Sequence, residues 1–419
     1  MQILDARKGI ATADAKSVAA SERVPVDFVR RKTASGRIVI ISKRGRTLGI
    51  GEGLRTKVNA NIGMSPDRAN PQEEIAKAKA AVEAGADTVM DLSIGGDADG
   101  MLAKISKAVG IPVGSVPIYS AVLAGRKKGK QIPDLDEDDF LSAVSRHAKH
   151  AEFLTIHSAI TMKGAELAKR RVHKVVSRGG CFLTAWMAAN KKENPYFTNF
   201  DKIIEIAKER DTVISIGDAL RPGCIADAAD RAQMLELVIQ GQLVKRALKE
   251  GVQVICEGPG HMPISKIAAN VRLQKKLCSS VPYYVLGPLV TDIAVGYDHI
   301  SAAIGGTIAA SAGADFLCVV TPSEHVALPD LEDVKEGVIA ARIGAHSADI
   351  IKRMDDKQDL EMSKARWKLD WDAQFALALH SEKARRYRKQ RGSKSKACSM
   401  CGKYCAYKIS EDALGRQQG

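Results

Sequence analysis

The sequence predicts an α/β protein, a closed (β/α)8 barrel followed by a C-terminal helical segment. Short apolar or β-branched runs recur along the chain, and amphipathic helical stretches separate most of them, as parallel βαβ units require. Each run breaks off abruptly in polar or glycine-rich residues. Eight or nine such units over roughly 260 residues match the size of a TIM-type barrel.

The chain has 419 residues, enough for one large core and an appendage. Residues 1–56 mix polar and basic stretches with one β-like run, Ile38-Val39-Ile40-Ile41, and read as a lead-in packing on the barrel. The barrel is expected over 57–334. Its strand-like runs lie at 57–61, 87–91, 113–117, 153–157, 174–178, 212–216, 252–256, 284–287 and 316–320. That is one run more than a barrel uses, so one is expected to lie outside the ring. The connectors at 72–82 and 231–249 have apolar residues near the helical period and stop at Gly85 and Gly251. Over 335–390 strand signals fade and helical stretches follow. Residues 391–419 begin with Arg391-Gly392-Ser393-Lys394-Ser395-Lys396, a flexible-linker composition that leads into a cysteine-rich tail.

A hydrophobic content of 45% is ordinary for a globular protein. No apolar run reaches membrane-spanning length, and Met1-Gln2-Ile3-Leu4-Asp5-Ala6-Arg7-Lys8 lacks the apolar stretch of a signal peptide. A cytoplasmic location with no membrane partner is expected. Of eight cysteines, Cys181, Cys224, Cys256, Cys278 and Cys318 are scattered and read as buried small hydrophobes rather than a disulfide framework. The net charge of +14 admits nucleic acid or a phosphorylated ligand. Much of it sits in runs such as Arg30-Arg31-Lys32 and Arg385-Arg386-Tyr387-Arg388-Lys389, which read as solvated faces. Aromatic content of 5% argues against a base-stacking platform, so no nucleic-acid partner is expected.

The tail holds Cys398, Cys401 and Cys405 in a Cys-x2-Cys-x3-Cys run with Gly402 between the second and third. Structural zinc takes four protein ligands. An iron–sulfur cubane held by three cysteines keeps one iron open for a small molecule. The spacing alone admits both an open cluster and a zinc knuckle completed by a distant histidine.

Barrel enzymes work at the C-terminal ends of their strands. Here the runs end on Asn61, Met90-Asp91, Tyr119, His157, Ser177-Arg178-Gly179-Gly180, Asp218-Ala219-Leu220-Arg221 and Glu257-Gly258-Pro259-Gly260-His261. Ser177, Arg178 and the two glycines suit a phosphate, through a hydroxyl, a guanidinium and close backbone approach. Asp218 and Arg221 suit a polar ligand or each other. His261 and His325 each follow a run, and neutral imidazoles suit a divalent metal, with Glu257 as a further carboxylate. Without a local His-x-x-x-His pattern, two hydrogen-bonded histidines remain the plainer reading. His147, His150, His173, His346 and His380 receive no role.

Taken together, Asn59-Ala60-Asn61-Ile62-Gly63, Asp87-Thr88-Val89-Met90-Asp91-Leu92-Ser93, Val116-Pro117-Ile118-Tyr119, Ser177-Arg178-Gly179-Gly180, Glu257-Gly258-Pro259-Gly260-His261, Gly296-Tyr297-Asp298-His299 and Cys398-Ser399-Met400-Cys401-Gly402 resemble the phosphomethylpyrimidine synthase family. These are radical S-adenosylmethionine enzymes of thiamine synthesis. The resemblance runs over about 25–409 and extends to a paralogue, 5-hydroxybenzimidazole synthase of anaerobic cobamide synthesis, which uses the same 5-aminoimidazole ribotide. It implies a substrate site lined by Asn61, Met90, Tyr119, His157, Ser177, Arg178, Gly179, Asp218, Ala219, Leu220, Arg221, Glu257 and Tyr284. It implies zinc or another divalent metal on His261 and His325, and a [4Fe-4S] cluster on Cys398, Cys401 and Cys405. It further implies a homodimer delivering the tail across its interface and an electron donor of flavodoxin or ferredoxin type. Reductive cleavage of S-adenosylmethionine at the open iron would yield a 5′-deoxyadenosyl radical that abstracts hydrogen from the ribotide.

Four departures from the synthase pattern flank the expected centre. Ala219 and Val295 replace a Gly and a Pro, Ser158-Ala159 follow the barrel histidine, and Met262 stands where Val is usual. The final cysteine spacing is one residue shorter than in the longer synthases, and their long N-terminal extension is absent. These differences point to 5-hydroxybenzimidazole as the product, with the pyrimidine as the alternative. Two readings from other classes predict different outcomes. A basic nucleic-acid binder with a zinc knuckle would hold zinc in the tail, and a plain barrel lyase using His157 and Asp218 would leave the tail cysteines idle.

Overall fold

The computed structural model of the chain describes residues 2–43, 45–392 and 396–415. It divides into two compact units, Met1–Arg353 and Met354–Gly419.

In the first unit an antiparallel hairpin, β1 (Ile38–Lys43) and β2 (Arg46–Gly51), precedes eight parallel strands. These are β3 (Lys57–Ile62), β4 (Thr88–Asp91), β5 (Val113–Ser115), β6 (Phe153–Ile156), β7 (Val213–Ile216), β8 (Val254–Gly258), β9 (Tyr283–Leu286) and β10 (Phe316–Cys318). They follow one another around a closed barrel, β10 returning to pair with β3. Neighbours pair in register, Asn61 against Met90 and Glu257 against Tyr284, so successive strand ends reach the mouth together.

The barrel interior is packed rather than open. Phe153 meets Phe316 edge-on with ring centroids 6.1 Å apart, and Tyr284 stacks on Phe316 at 4.2 Å. Gly114 on β5 leaves the space that the Phe153 ring fills, since a Cβ there would stand 2.3 Å from the ring. Asn59 ties three strands together. Its Nδ2 donates to the Tyr284 hydroxyl at 2.7 Å, and its Oδ1 accepts from Thr88 Oγ1 at 2.7 Å.

The lead-in closes the opposite end of the barrel. Its helices Gln2–Arg7, Ala13–Glu22 and Val26–Ala34 and the hairpin form a small core of Val18, Val29, Ile38, Ile40 and Leu54. Gln253, just before β8, exchanges two hydrogen bonds with the Ile40 backbone at 2.8 and 2.9 Å. Glu22 meets Lys57 at the start of β3, with Nζ 2.8 Å from Oε1 and both side chains buried.

The fifth strand-like run, 174–178, is the one left outside the ring and forms no strand. Val175 and Val176 favour extended backbone, but Ser177 caps the helix Arg178–Asn190, its Oγ accepting from the Gly180 N–H at 3.2 Å. A helix start therefore stands where a strand end is expected from the sequence. The expected connectors form as the helices Pro71–Ala84 and Arg231–Lys249.

The helix Leu331–Arg353 runs through the expected 334/335 boundary and packs within the first unit. Its Asp349 accepts from Thr56 N and Oγ1 at 2.9 and 2.7 Å. The second unit contains the helices Lys357–Trp367, Trp371–Leu377 and Ser381–Gln390, followed by the tail. The middle of the expected linker, 393–395, lies outside the described residues. Among the described residues no helix is long and apolar enough to cross a membrane.

Candidate active site

The mouth of the barrel holds a cavity of about 80 Å³. Its wall takes Asn61 from β3, Met90 from β4, Tyr119 after β5, His157 after β6, Asp218 and Arg221 after β7, Glu257 from β8, Tyr284 from β9 and Cys318 from β10. A wider cavity of about 450 Å³ shares Asn61 and Leu92 with it and adds Arg178, Glu324 and His325.

Eight of the thirteen expected substrate residues thus meet in one cavity, and Arg178 reaches the adjoining one. The other four stand behind the wall. Ser177 Oγ lies 3.0 Å from His157 Nε2. Gly179 lies against the same ring, where a Cβ would come within 2.6 Å. Ala219 is fully buried against Gly180. Leu220 is also fully buried, and its N–H donates to Glu236 at 2.8 Å.

The wall is polar but starved of water. Burial pushes the Glu257 carboxyl up, although Oε1 accepts from Thr155 Oγ1 at 2.6 Å and Ser215 Oγ at 2.7 Å. Burial likewise pushes Asp218 up to about 7, against the pull of Arg221, whose Nη1 donates to Oδ1 at 3.1 Å. Burial lowers His157 to about 3 with Arg221 adding to it, so the ring is neutral, and its Nδ1 has no protein partner. Asn61 Nδ2 donates to Cys318 Sγ at 2.9 Å. Arg178 stacks over the Tyr119 ring at 5.4 Å. Two buried acids pushed upward, one neutral imidazole and two guanidiniums therefore share this wall.

His261 and His325 face each other with ring centroids 5.3 Å apart. His261 Nδ1 lies 2.7 Å from Asp292 Oδ1, and His325 Nδ1 lies 3.3 Å from Asp298 Oδ2. A carboxylate only accepts, so each Nδ1 carries the proton and each Nε2 keeps its lone pair. Burial holds His261 below the usual histidine range, outweighing Asp292. His325 sits at φ +63°, a strained conformation for a non-glycine residue. These features fit a divalent cation on the two Nε2 atoms. Glu257 Oε1 is engaged by Thr155 and Ser215. Among the described residues no three His, Cys, Asp or Glu side chains close around one point.

In the tail, the Gly402 N–H donates to Cys398 O at 3.0 Å and the Tyr404 N–H to Cys401 O at 2.9 Å, winding the three cysteines into one turn. Hydrogen bonds from the Cys401 and Met400 backbone lower the Cys398 thiol toward thiolate. Cys401 is held up by burial first and then by the neighbouring charges of Cys398 and Cys405, so the sulfurs are close enough to repel. Three thiols at this spacing are the donor type an iron–sulfur cluster takes, although their side chains, like the others described, do not close around one point here. Trp371 Nε1 and Arg388 Nη1 fix the approach by donating to Lys396 O at 2.8 Å and Ala397 O at 3.1 Å.

Comparison with known proteins settles the family. The Radical SAM ThiC family matches residues 1–412. The chain belongs to that family. It is 51% identical to the phosphomethylpyrimidine synthase of Methanopyrus kandleri over 95% of this chain and 96% of that one. It is 51% identical to that of Geobacter metallireducens over 100% and 98%, and 50% identical to that of Methanocaldococcus jannaschii over 99% and 100%. A Yersinia pestis dihydropteroate synthase superposes with a TM-score of 0.41 at 12% identity, over 74% of this chain and 98% of that one, a likeness too distant to bear on function. As a ThiC member the chain is a radical S-adenosylmethionine enzyme, and membership implies a [4Fe-4S] cluster and S-adenosylmethionine.

The relatives favour the pyrimidine over the benzimidazole product expected from the sequence departures. The sites of those departures lie away from both cavities. Ser158, Ala159, Ala219 and Met262 are all fully buried, Val295 is exposed, and none lines either cavity. The relatives are matched over 96% or more of their length.

Sequence reasoning missed Thr155, Ser215, Asp292 and Cys318. The first two look like ordinary β-branched or small strand residues until the barrel turns them toward Glu257. Asp292 lies in a loop, and only its distance to His261 marks it.

Proposed function

We propose that this chain is a phosphomethylpyrimidine synthase, converting 5-aminoimidazole ribotide to 4-amino-5-hydroxymethyl-2-methylpyrimidine phosphate for thiamine synthesis. The near full-length identity of about half to synthases of that name carries the reading over the cobamide branch.

In this reading Arg178 and Arg221 hold the ribotide phosphate, Asn61 and Tyr284 orient the ribose, and Tyr119 and Met90 exclude water. Asp218, Glu257 and His157 handle protons, burial pushing both acids up and the imidazole down. His261 and His325 hold zinc or a similar cation. Cys398, Cys401 and Cys405 would hold a cluster, which would supply the electron for cleavage of S-adenosylmethionine. Ten basic residues against one acidic between 381 and 408 favour an acidic electron carrier of flavodoxin or ferredoxin type. The exposed apolar residues Ile293, Val295, Tyr297, Ile300 and Ile304 favour a second copy of the chain as partner. A cytoplasmic location fits thiol ligands that must stay reduced.

The test is anaerobic turnover of the ribotide with S-adenosylmethionine and reductant, the product read by mass spectrometry. The pyrimidine phosphate is expected together with 5′-deoxyadenosine. Hydroxybenzimidazole in its place restores the other branch, and no deoxyadenosine rejects both.

A further inference from the structure

Beside Asp218 lies a third, smaller space of about 10 Å³, which shares Asp218, Arg221 and Glu257 with the wall of the substrate cavity. Asp218, Glu236 and Asn270 contribute to its wall. Each brings one polar atom that has no partner: Asp218 Oδ2, Glu236 Oε1 and Asn270 Nδ2. Their other atoms are engaged. Asp218 Oδ1 accepts from Arg221 at 3.1 Å, Glu236 Oε2 from the Leu220 N–H at 2.8 Å, and Asn270 Oδ1 from the Tyr283 hydroxyl at 2.9 Å. All three residues are at most 6% exposed.

A buried polar atom without a partner costs about 1–3 kcal/mol. Three of them around one small void mark a shared partner, and the void has about the volume one water needs. We propose that a single buried water joins Asp218 Oδ2, Glu236 Oε1 and Asn270 Nδ2, so that the two carboxyls share one proton and Glu236 serves as a proton store behind Asp218. The water accepts from Asn270 Nδ2–H, whose amide can only donate there. When Asp218 must release a proton, Oδ2–H passes it to the water oxygen while a water proton moves to Glu236 Oε1. The charge of the pair does not change, and no other reagent is needed. Glu236 lines only the small space and not the substrate cavity, so it is a positioning residue.

The surroundings support one proton between two acids. Burial raises Glu236, and the nearby Asp218 charge raises it further, while Arg171 and Arg221 pull it down. Asp218 feels Arg221 and Glu257 beside it. The Tyr283 phenol borders the space with the Cys256 and Cys278 thiols near it, and burial raises both Tyr283 and Cys256 out of the neutral range. Two adjacent buried carboxyls facing these groups cannot both ionise near neutral pH.

The inference rests on the proposed substrate only in its second test. First, a crystal structure of the wild-type protein that shows ordered water should contain one solvent peak within hydrogen-bond distance of all three atoms. An empty space overturns the proposal. Second, Glu236→Gln keeps the volume but cannot take the proton. Repulsion between the acids holds the last proton to higher pH, so removing one acid should move the alkaline limb of ribotide turnover down by about one pH unit. A uniformly slower enzyme with an unmoved limb makes Glu236 a structural spacer and overturns the proposal. Failure of the wild-type protein to bind ribotide at any pH rejects the substrate assignment instead, and the water test then decides this inference alone.

Discussion

His261, in the loop after β8, and His325, after β10, stand with ring centroids 5.3 Å apart, each held through Nδ1 by an aspartate of its own. The pair exists only because the barrel closes. If the pair holds the proposed cation, the wild type should retain zinc after dialysis and either histidine replaced by Ala should lose it, measured by elemental analysis. Asp292→Ala keeps both ligands but frees one ring to rotate, and should weaken binding by about 10–100-fold. Unchanged zinc affinity in Asp292→Ala would show that the aspartate does not set the ring.

Cys398→Ala should remove iron, sulfide and deoxyadenosine production together. Its thermal unfolding should match the wild type, because the barrel's core lies wholly in Met1–Arg353. If the tail acts across a dimer, mixing Cys398→Ala with Glu257→Gln should restore activity that neither has alone. Activity absent from a verified heterodimer would place the tail and barrel of one chain together.

Lys57→Met should destabilise the protein by about 3–5 kcal/mol in denaturant unfolding, because Glu22 would lose its buried partner at 2.8 Å. Burial opposes the Glu22 charge, but Lys57 and Arg55 outweigh it and hold the carboxyl below its usual range. That contribution is therefore present above the unfolded value of about 4.3 and lost as pH falls through the lower folded one. Glu22→Gln should flatten the stability profile in that acid window. A profile parallel to the wild type would show that Glu22 carries none of the acid sensitivity.

His157 works in a different window. Burial lowers it to about 3, while an unfolded histidine titrates near about 6.5. Between those values the unfolded state binds the extra proton, so stability falls on acidification by up to about 1.4 kcal/mol per pH unit. His157→Gln should lose less stability than the wild type between pH 7 and pH 5. Equal losses in the two proteins would mean that another group titrates there.

Much of this was legible in the chain. The strand-like runs at 57–61 and 316–320 contain β3 and β10, and helix stops at Gly85 and Gly251 fall where the sequence puts them. These signals are local, arising from side-chain periodicity and backbone freedom within a few residues. The run at 174–178 misled for the same reason, since two valines look alike before a strand end and before a capped helix. Asn61, His157, Asp218 and Glu257 could be picked out because polar residues at the ends of apolar runs are conspicuous.

The sequence by itself determined the barrel, the polar residues at its strand ends and the spacing of the three tail cysteines, because periodicity and spacing are written along one dimension. Only the tertiary structure decided which rim residues share a cavity, which carboxyls burial pushes up, and that Asp292 and Asp298 meet the two histidines. Those are distances between segments remote in sequence and degrees of exclusion from water, and neither exists until the strands close into a ring.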